Sequence, residues 1–200
     1  MNATPPAPRR LLHVGCGLPH PAKLPHGWLP PGPWEEVRLD IDPAVAPDII
    51  ASITDMRAVP EASFEAVWSA HNLEHLYPHE VPLALAEFRR VLKPEGFVLL
   101  TLPDLQQVAA LVAADRLTEP AYTSPVGPIS ALDMLYGHGA ALAQGNHFMG
   151  HRGGFTASSL QQALEAAGFP LVRVARDEHF ALWATAHKTA HQTIPGALVA

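Results

Sequence analysis

The sequence predicts a single α/β domain with a mostly parallel central sheet, and three observations point there. Short apolar runs that stop at glycine or at an acid, such as Arg10-Leu-Leu-His-Val-Gly15 and Glu36-Val-Arg-Leu-Asp40, have the length and the stops of buried strands. Between such runs lie segments with apolar residues at helical spacing, the clearest from Glu80 to Leu92. Over 200 residues, 48% hydrophobic and 16% charged residues make a chain able to bury one core.

The first strand enters a Gly15-Cys16-Gly17 turn. From Leu18 to Pro33 the prolines Pro19, Pro21, Pro25, Pro30, Pro31 and Pro33 each remove a backbone donor, so no long helix fits there. Glu36 to Asp40 reads as a second strand presenting Asp40 at its carboxyl end, Asp48 to Ser52 as a short third, and Ala66 to Ser69 as a fourth before a turn at His71. In the helix from Glu80 to Leu92, Val81, Leu85, Phe88 and Leu92 share a face, with Pro82 near its start and Lys93-Pro-Glu-Gly96 after its end. Phe97 to Leu102 is an apolar strand, and Asp104 caps a helix running to about Asp115. Glu119 to Arg152, rich in proline, glycine and histidine, reads as an irregular insertion over the substrate side. Thr156 caps a further helix with Leu160, Leu164 and Ala167 on one face, stopped by Gly168. Leu171 to Val174 and Phe180 to Thr185 close the sheet as an antiparallel pair. The expected organisation is therefore a flexible N-terminus over 1–9, one domain over 10–188 and a flexible tail over 189–200.

Composition narrows the partners. Thirteen Lys and Arg against nineteen Asp and Glu, a net charge of −6, with no basic run, remove the electrostatic footprint of a nucleic-acid or anionic-membrane binder. A lone cysteine, Cys16, permits no intrachain disulfide. The first ten residues have no apolar signal region and no later stretch reaches the length of a membrane span, so a cytoplasmic location is expected. A small-molecule partner, no nucleic acid and no membrane follow; monomer and homodimer both remain open.

A glycine turn after one strand and an acid ending the next allow a ligand to approach the backbone and offer a carboxylate to ribose hydroxyls. Taken alone they are equally compatible with a tight turn and a solvated acid. The third glycine of the dinucleotide fingerprint is missing, and prolines stand where a phosphate-binding helix should start, which disfavours a pyrophosphate cofactor.

Longer motifs carry a resemblance. Leu12-His-Val-Gly-Cys-Gly17, Val37-Arg-Leu-Asp-Ile-Asp42 and Ser52-Ile-Thr-Asp-Met56 resemble the opening motifs of class I S-adenosylmethionine (SAM)-dependent methyltransferases. Ser63-Phe-Glu-Ala-Val-Trp-Ser-Ala-His-Asn-Leu-Glu-His-Leu76, followed by Glu87-Phe-Arg-Arg-Val-Leu-Lys-Pro-Glu-Gly96, resembles the signature of the type 11 branch. With His151-Arg-Gly-Gly-Phe-Thr156 and Ala166-Ala-Gly-Phe169, the likeness runs from about Arg10 to Lys188. It implies a Rossmann-like three-layer sandwich, a mostly parallel sheet with an antiparallel C-terminal strand, and methyl transfer from SAM to a small acceptor.

Carried over by position, the resemblance implies that Gly15, Cys16 and Gly17 line the methionine part of SAM, and that Asp40, with Ile41 beside it, holds the ribose. It implies that Asp55 bonds the adenine amino group and Met56 packs on the ring. Ser69, Ala70 and His71 would face the sulfonium, and His71 is the expected base. The chain departs from the pattern at His13, where the family has an acid, and at the proline-rich segment, where it has its first helix. His71, His75 and His79 recur every fourth residue, but Pro78 interrupts the helix that would align them, so no metal site is expected. Two other functions stay open: a catalytically inactive binding or regulatory protein on the same fold, and a nicotinamide-dependent oxidoreductase.

Overall fold

The computed structural model describes residues 7–190; most of the expected flexible ends, 1–6 and 191–200, lie outside the described residues. The main sheet has seven strands: β1 (Arg9–Val14), β2 (Trp34–Asp40), β3 (Ile49–Ile50), β4 (Phe64–Ala70), β5 (Leu92–Pro103), β8 (Leu171–Arg176) and β9 (Ala181–His187). Their order is β3-β2-β1-β4-β5-β9-β8. The first five pair parallel, and β9 lies antiparallel to both β5 and β8. The fold class expected from sequence is the one found. The chain leaves β1 in one direction for β2 and β3, then returns to place β4 on the other side of β1. Such a reversal opens a crevice beyond the carboxyl ends of the strands, where open α/β sheets bind ligands.

Each face is covered differently. On one, α1 (Val81–Val91) and α5 (Ala157–Ala166) lay Leu85, Phe88, Leu160 and Leu164, all essentially inaccessible, against Leu12, Val67, Val98 and Leu100 of the strands. Thr156 and Ser159 close α5 with a reciprocal capping box, and Gly168 after it takes a φ of +87°. On the opposite face the proline-rich segment does the covering. Trp28 stacks on Trp183 at 4.7 Å between ring centroids, and Trp183 on Trp68 at 5.9 Å. Leu24, Leu29 and Trp34 join this second apolar cluster. The Trp68 indole donates to the Lys23 carbonyl at 2.8 Å and the Trp34 indole to that of Pro30 at 3.0 Å, so large rings stand in for a helix while their N–H groups stay paired.

His13 explains how β1 does without its acid. Its ring is buried, and Nδ1 stands 2.6 Å from a carboxylate oxygen of Glu36 on the adjacent strand, so the acid is supplied from β2. Burial pulls the His13 pKa below the ordinary histidine value, and the pull of Glu36 only partly opposes it. A histidine harder to protonate when folded makes the unfolded chain bind more protons as pH falls through the histidine range. Its contribution is therefore intact above about pH 6.5 and lost progressively below it. In urea melts the stability difference between wild type and His13→Gln should shrink or reverse on going from pH 7.5 to 5.5; a difference that grows on acidification would contradict the assignment.

The segment read as an irregular insertion is more ordered than expected. It holds a hairpin, β6 (Pro120–Ser124) with β7 (Gly127–Ser130), and two short helices, α3 (Ala131–Tyr136) and α4 (Gly139–Ala143). Ser130 and Asp133 form a capping box on α3, and Met134, Ile129 and Leu111 of α2 (Leu105–Ala113) make a small core of their own. Asp104 caps α2 as expected: its carboxylate accepts from the Gln106 amide and also pairs with Arg176 at 2.8 Å. Among the described residues no helix is long and apolar enough to cross a membrane.

Candidate functional site

A pocket opens at the carboxyl ends of β1 to β4, in the crevice created by the strand order. Gly15, Gly17, Asp40, Ile41, Ser52, Ile53, His71, Asn72 and His75 line it from the sheet side, and Asn146, Phe148, Met149 and Arg152 from the insertion. The turn after β1 is built on two left-handed glycines, with φ of +56° at Gly15 and +57° at Gly17. A methyl group at Gly15 would meet the side-chain oxygen of Asn72 at 1.6 Å. Asn72 in turn directs its amide nitrogen at the carbonyls of Val14 and Ala70 and at the Ser69 hydroxyl, tying the end of β1 to the end of β4.

Asp40 ends β2 and is 8% exposed. One oxygen accepts the Gly17 amide at 2.8 Å and the other the Asp42 amide at 2.9 Å. Each oxygen retains acceptor capacity on the pocket side, because a carboxylate oxygen can take two hydrogen bonds. Ile41, Val45, Ala51 and Ile53 supply apolar surface beside it. A buried acid, an apolar slot and a glycine turn running into prolines suit a nucleoside-bearing cofactor without a pyrophosphate.

Several expected site residues lie elsewhere. Cys16 belongs to the turn by its backbone, but its side chain is 1% exposed and off the pocket wall, and burial raises its thiol pKa. Ser69 is buried with its hydroxyl on Asn72, and Ala70 packs toward the tryptophan cluster. The two residues expected at the adenine stand apart from this pocket. Met56 is fully buried in the main core, and Asp55 points to a different groove, where Arg57 grips it through two nitrogens and lowers its pKa. The tight turn that bridges Ser52 to Asp55 carries the chain away from the pocket, leaving Ser52 and Ile53 at its wall.

His71 is in the pocket as expected. It follows β4 in the left-handed region, φ +54°, a conformation rare for a residue with a Cβ and common at functional sites. Its ring is half exposed, and Nδ1 stands 3.2 Å from Oε1 of Glu74, which is buried. Desolvation at the pocket wall pulls the His71 pKa down; the hydrogen bond and charge of Glu74 outweigh it and set the value above the ordinary one. Burial pushes Glu74 up, and its contact with His71 and the neighbouring histidines more than offsets that push. Asn72, Ser52 and Ile53 were not singled out by sequence reasoning, whereas the insertion was expected on this side of the molecule. All three had a positional signal, since Ser52 and Ile53 open the Ser52-Ile-Thr-Asp-Met56 motif and Asn72 lies within the Ser63 to Leu76 motif.

Comparisons agree with this geometry. Residues 12–100 match the model of a methyltransferase domain family. No curated protein sequence matches the chain. The structure of the CurJ carbon methyltransferase is similar at 14% identity with a TM-score of 0.58, over 94% of this chain and 50% of that one. An Archaeoglobus fulgidus SAM-dependent methyltransferase is similar at 14% identity, TM-score 0.53, over 90% of this chain and 86% of the other. So is a Burkholderia thailandensis 1,6-didemethyltoxoflavin N1-methyltransferase, at 16% identity and TM-score 0.52 over 91% and 72%, in a structure with bound S-adenosylhomocysteine. The chain spans half the length of the CurJ protein. The structural likenesses bear out the fold, and the family match agrees with the resemblance read from the motifs.

Proposed function

From a chain whose residues 12–100 match a methyltransferase domain family and whose fold is shared with SAM-dependent methyltransferases, we propose that it transfers a methyl group from SAM to a small-molecule acceptor. The observation that carries this reading is the meeting of the Gly15–Gly17 turn with buried Asp40 in one pocket at the strand-order reversal. In this reading Asp40 accepts the ribose hydroxyls, Ile41 and Ile53 enclose the adenine, and the glycine turn lies along the methionine chain. Ser52 replaces Asp55 as the polar neighbour of the adenine edge.

When bound, SAM supplies an activated methyl group on a sulfonium with a good leaving group. The protein's share is alignment and exclusion of water. Phe148 and Met149, from the insertion, cover the pocket. His71 holds its Nδ1 toward Glu74, which leaves Nε2 free to take the proton of a hydroxyl or amine acceptor as its new bond to carbon forms. Arg152, exposed at the pocket and 5.1 Å from the Tyr77 ring, offers a cation to an acidic group on the acceptor.

Calorimetric titration with S-adenosylhomocysteine tests the cofactor half directly. Asp40→Ala should bind at least tenfold more weakly, because bonds to a charged acceptor are worth about 1.5 to 3 kcal/mol. Equal affinity in the variant would remove Asp40 from the ribose site.

A further inference from the structure

The sequence set aside a metal site because His71, His75 and His79 could not share a helical face, and the fold brings together a different set. Glu74, His75 and His151 place one ligand atom each within 4.8 Å of one another. The Glu74 side chain is 1% exposed and its Oε2 has no hydrogen-bond partner, a costly state for a buried carboxylate oxygen. Its other oxygen is taken by His71.

The two imidazoles are held in a matching way. His75 Nδ1 lies 3.1 Å from the Gly150 carbonyl and His151 Nδ1 2.9 Å from the Met134 carbonyl. A carbonyl can only accept, so in both rings Nδ1 carries the hydrogen, and in the neutral ring Nε2 carries the lone pair. A backbone carbonyl on the far nitrogen is the usual support of a metal-ligating histidine, because it fixes both tautomer and ring orientation. The rings meet edge to face at 4.8 Å. Amides of Arg152 and Gly153 donate to the Glu74 carbonyl at 2.8 and 3.1 Å, which ties the segment bearing His151 to the turn bearing the other two.

We propose that Glu74, His75 and His151 form a binding site for a first-row divalent transition cation, with zinc, cobalt and iron(II) the fitting members. Two imidazoles and one carboxylate are intermediate in softness, which disfavours calcium and magnesium, whose ligands are oxygens. Donors around a tetrahedral zinc stand about 3.4 Å apart, so closing on an ion requires side-chain movements of about an ångström. Because His75 also lines the cofactor pocket, the ion stands at the pocket wall, with three protein ligands and at least one position left for water or another oxygen ligand.

The test uses the purified chain, stripped with a chelator and titrated with cobalt(II) alone, then with zinc(II) against a chromogenic chelator. One equivalent of cobalt should bind and develop the strong visible absorption of a four- or five-coordinate site, and zinc should displace it. Glu74→Gln and His151→Gln should each weaken binding at least tenfold with an unchanged circular dichroism spectrum, while His79→Ala, an exposed control, binds like wild type. The wild-type spectrum decides even if a variant misfolds: the weak absorption of the hydrated ion, or no saturable binding at micromolar metal, overturns the site. Folded Glu74 and His151 variants that bind as tightly as wild type overturn it equally. None of these readouts depends on methyl transfer, so failure of the metal site and failure of the proposed activity are separable.

Discussion

Replacing Gly15 with alanine should reduce S-adenosylhomocysteine affinity at least a hundredfold and lower the melting temperature as well. The backbone there is left-handed, which costs a residue with a Cβ about 1 to 2 kcal/mol before any contact is considered. The new carbon would also lie 1.6 Å from the Asn72 oxygen, so Asn72 must leave the position from which it reaches the Val14 and Ala70 carbonyls. Opening the β1–β4 crossover displaces the turn that the proposed cofactor lies along. A double variant separates sterics from strain. If the Asn72 clash dominates, Gly15→Ala with Asn72→Ala should be markedly less damaging than the sum of the two single changes. Strict additivity would mean that the strained backbone alone is responsible.

The second large effect is expected at His71. Once an acceptor is found by screening hydroxyl, amine and carboxylate compounds for S-adenosylhomocysteine release, His71→Ala should lower kcat about a hundredfold or more, the scale of one acid–base group. Affinity for S-adenosylhomocysteine should stay within a few fold, since the cofactor contacts proposed above lie on β1, β2 and the turn after β3. A fall in acceptor affinity with kcat preserved would instead make His71 part of the pocket wall. Full turnover in the variant would remove it from the reaction.

How much of this was legible in the sequence depends on the distance over which each feature is encoded. The strands ending at Gly15 and Asp40, the helix bearing Leu85 and Phe88, and the caps at Asp104 and Thr156 are local patterns, and each lies where its residues imply. The hairpin and short helices of 120–143 were not separated from loop, because their apolar residues are few and form a small separate cluster with α2 and Phe180. Asp55 drew the adenine contact through its place in the Ser52-Ile-Thr-Asp-Met56 motif that carries the resemblance. Where its side chain points depends on the turn from Ser52 to Asp55 and on the pull of Arg57, neither of which has a periodic signature. Glu74 and His75 are adjacent in sequence, but their third partner is His151, far along the chain at the end of the insertion, so only tertiary structure brings the set together. The missing acid of β1 was visible as His13, whereas its replacement by Glu36 depends on strand register.

The proposed activity stands or falls on the cofactor. Isothermal titration of the wild-type chain with S-adenosylhomocysteine, run beside NADH, tests it most directly. Saturable binding of one equivalent of S-adenosylhomocysteine with a micromolar Kd, weakened in Asp40→Ala, and no heat from NADH is the predicted result. Absence of binding up to millimolar S-adenosylhomocysteine by a folded protein, or preferential binding of NADH, would contradict it.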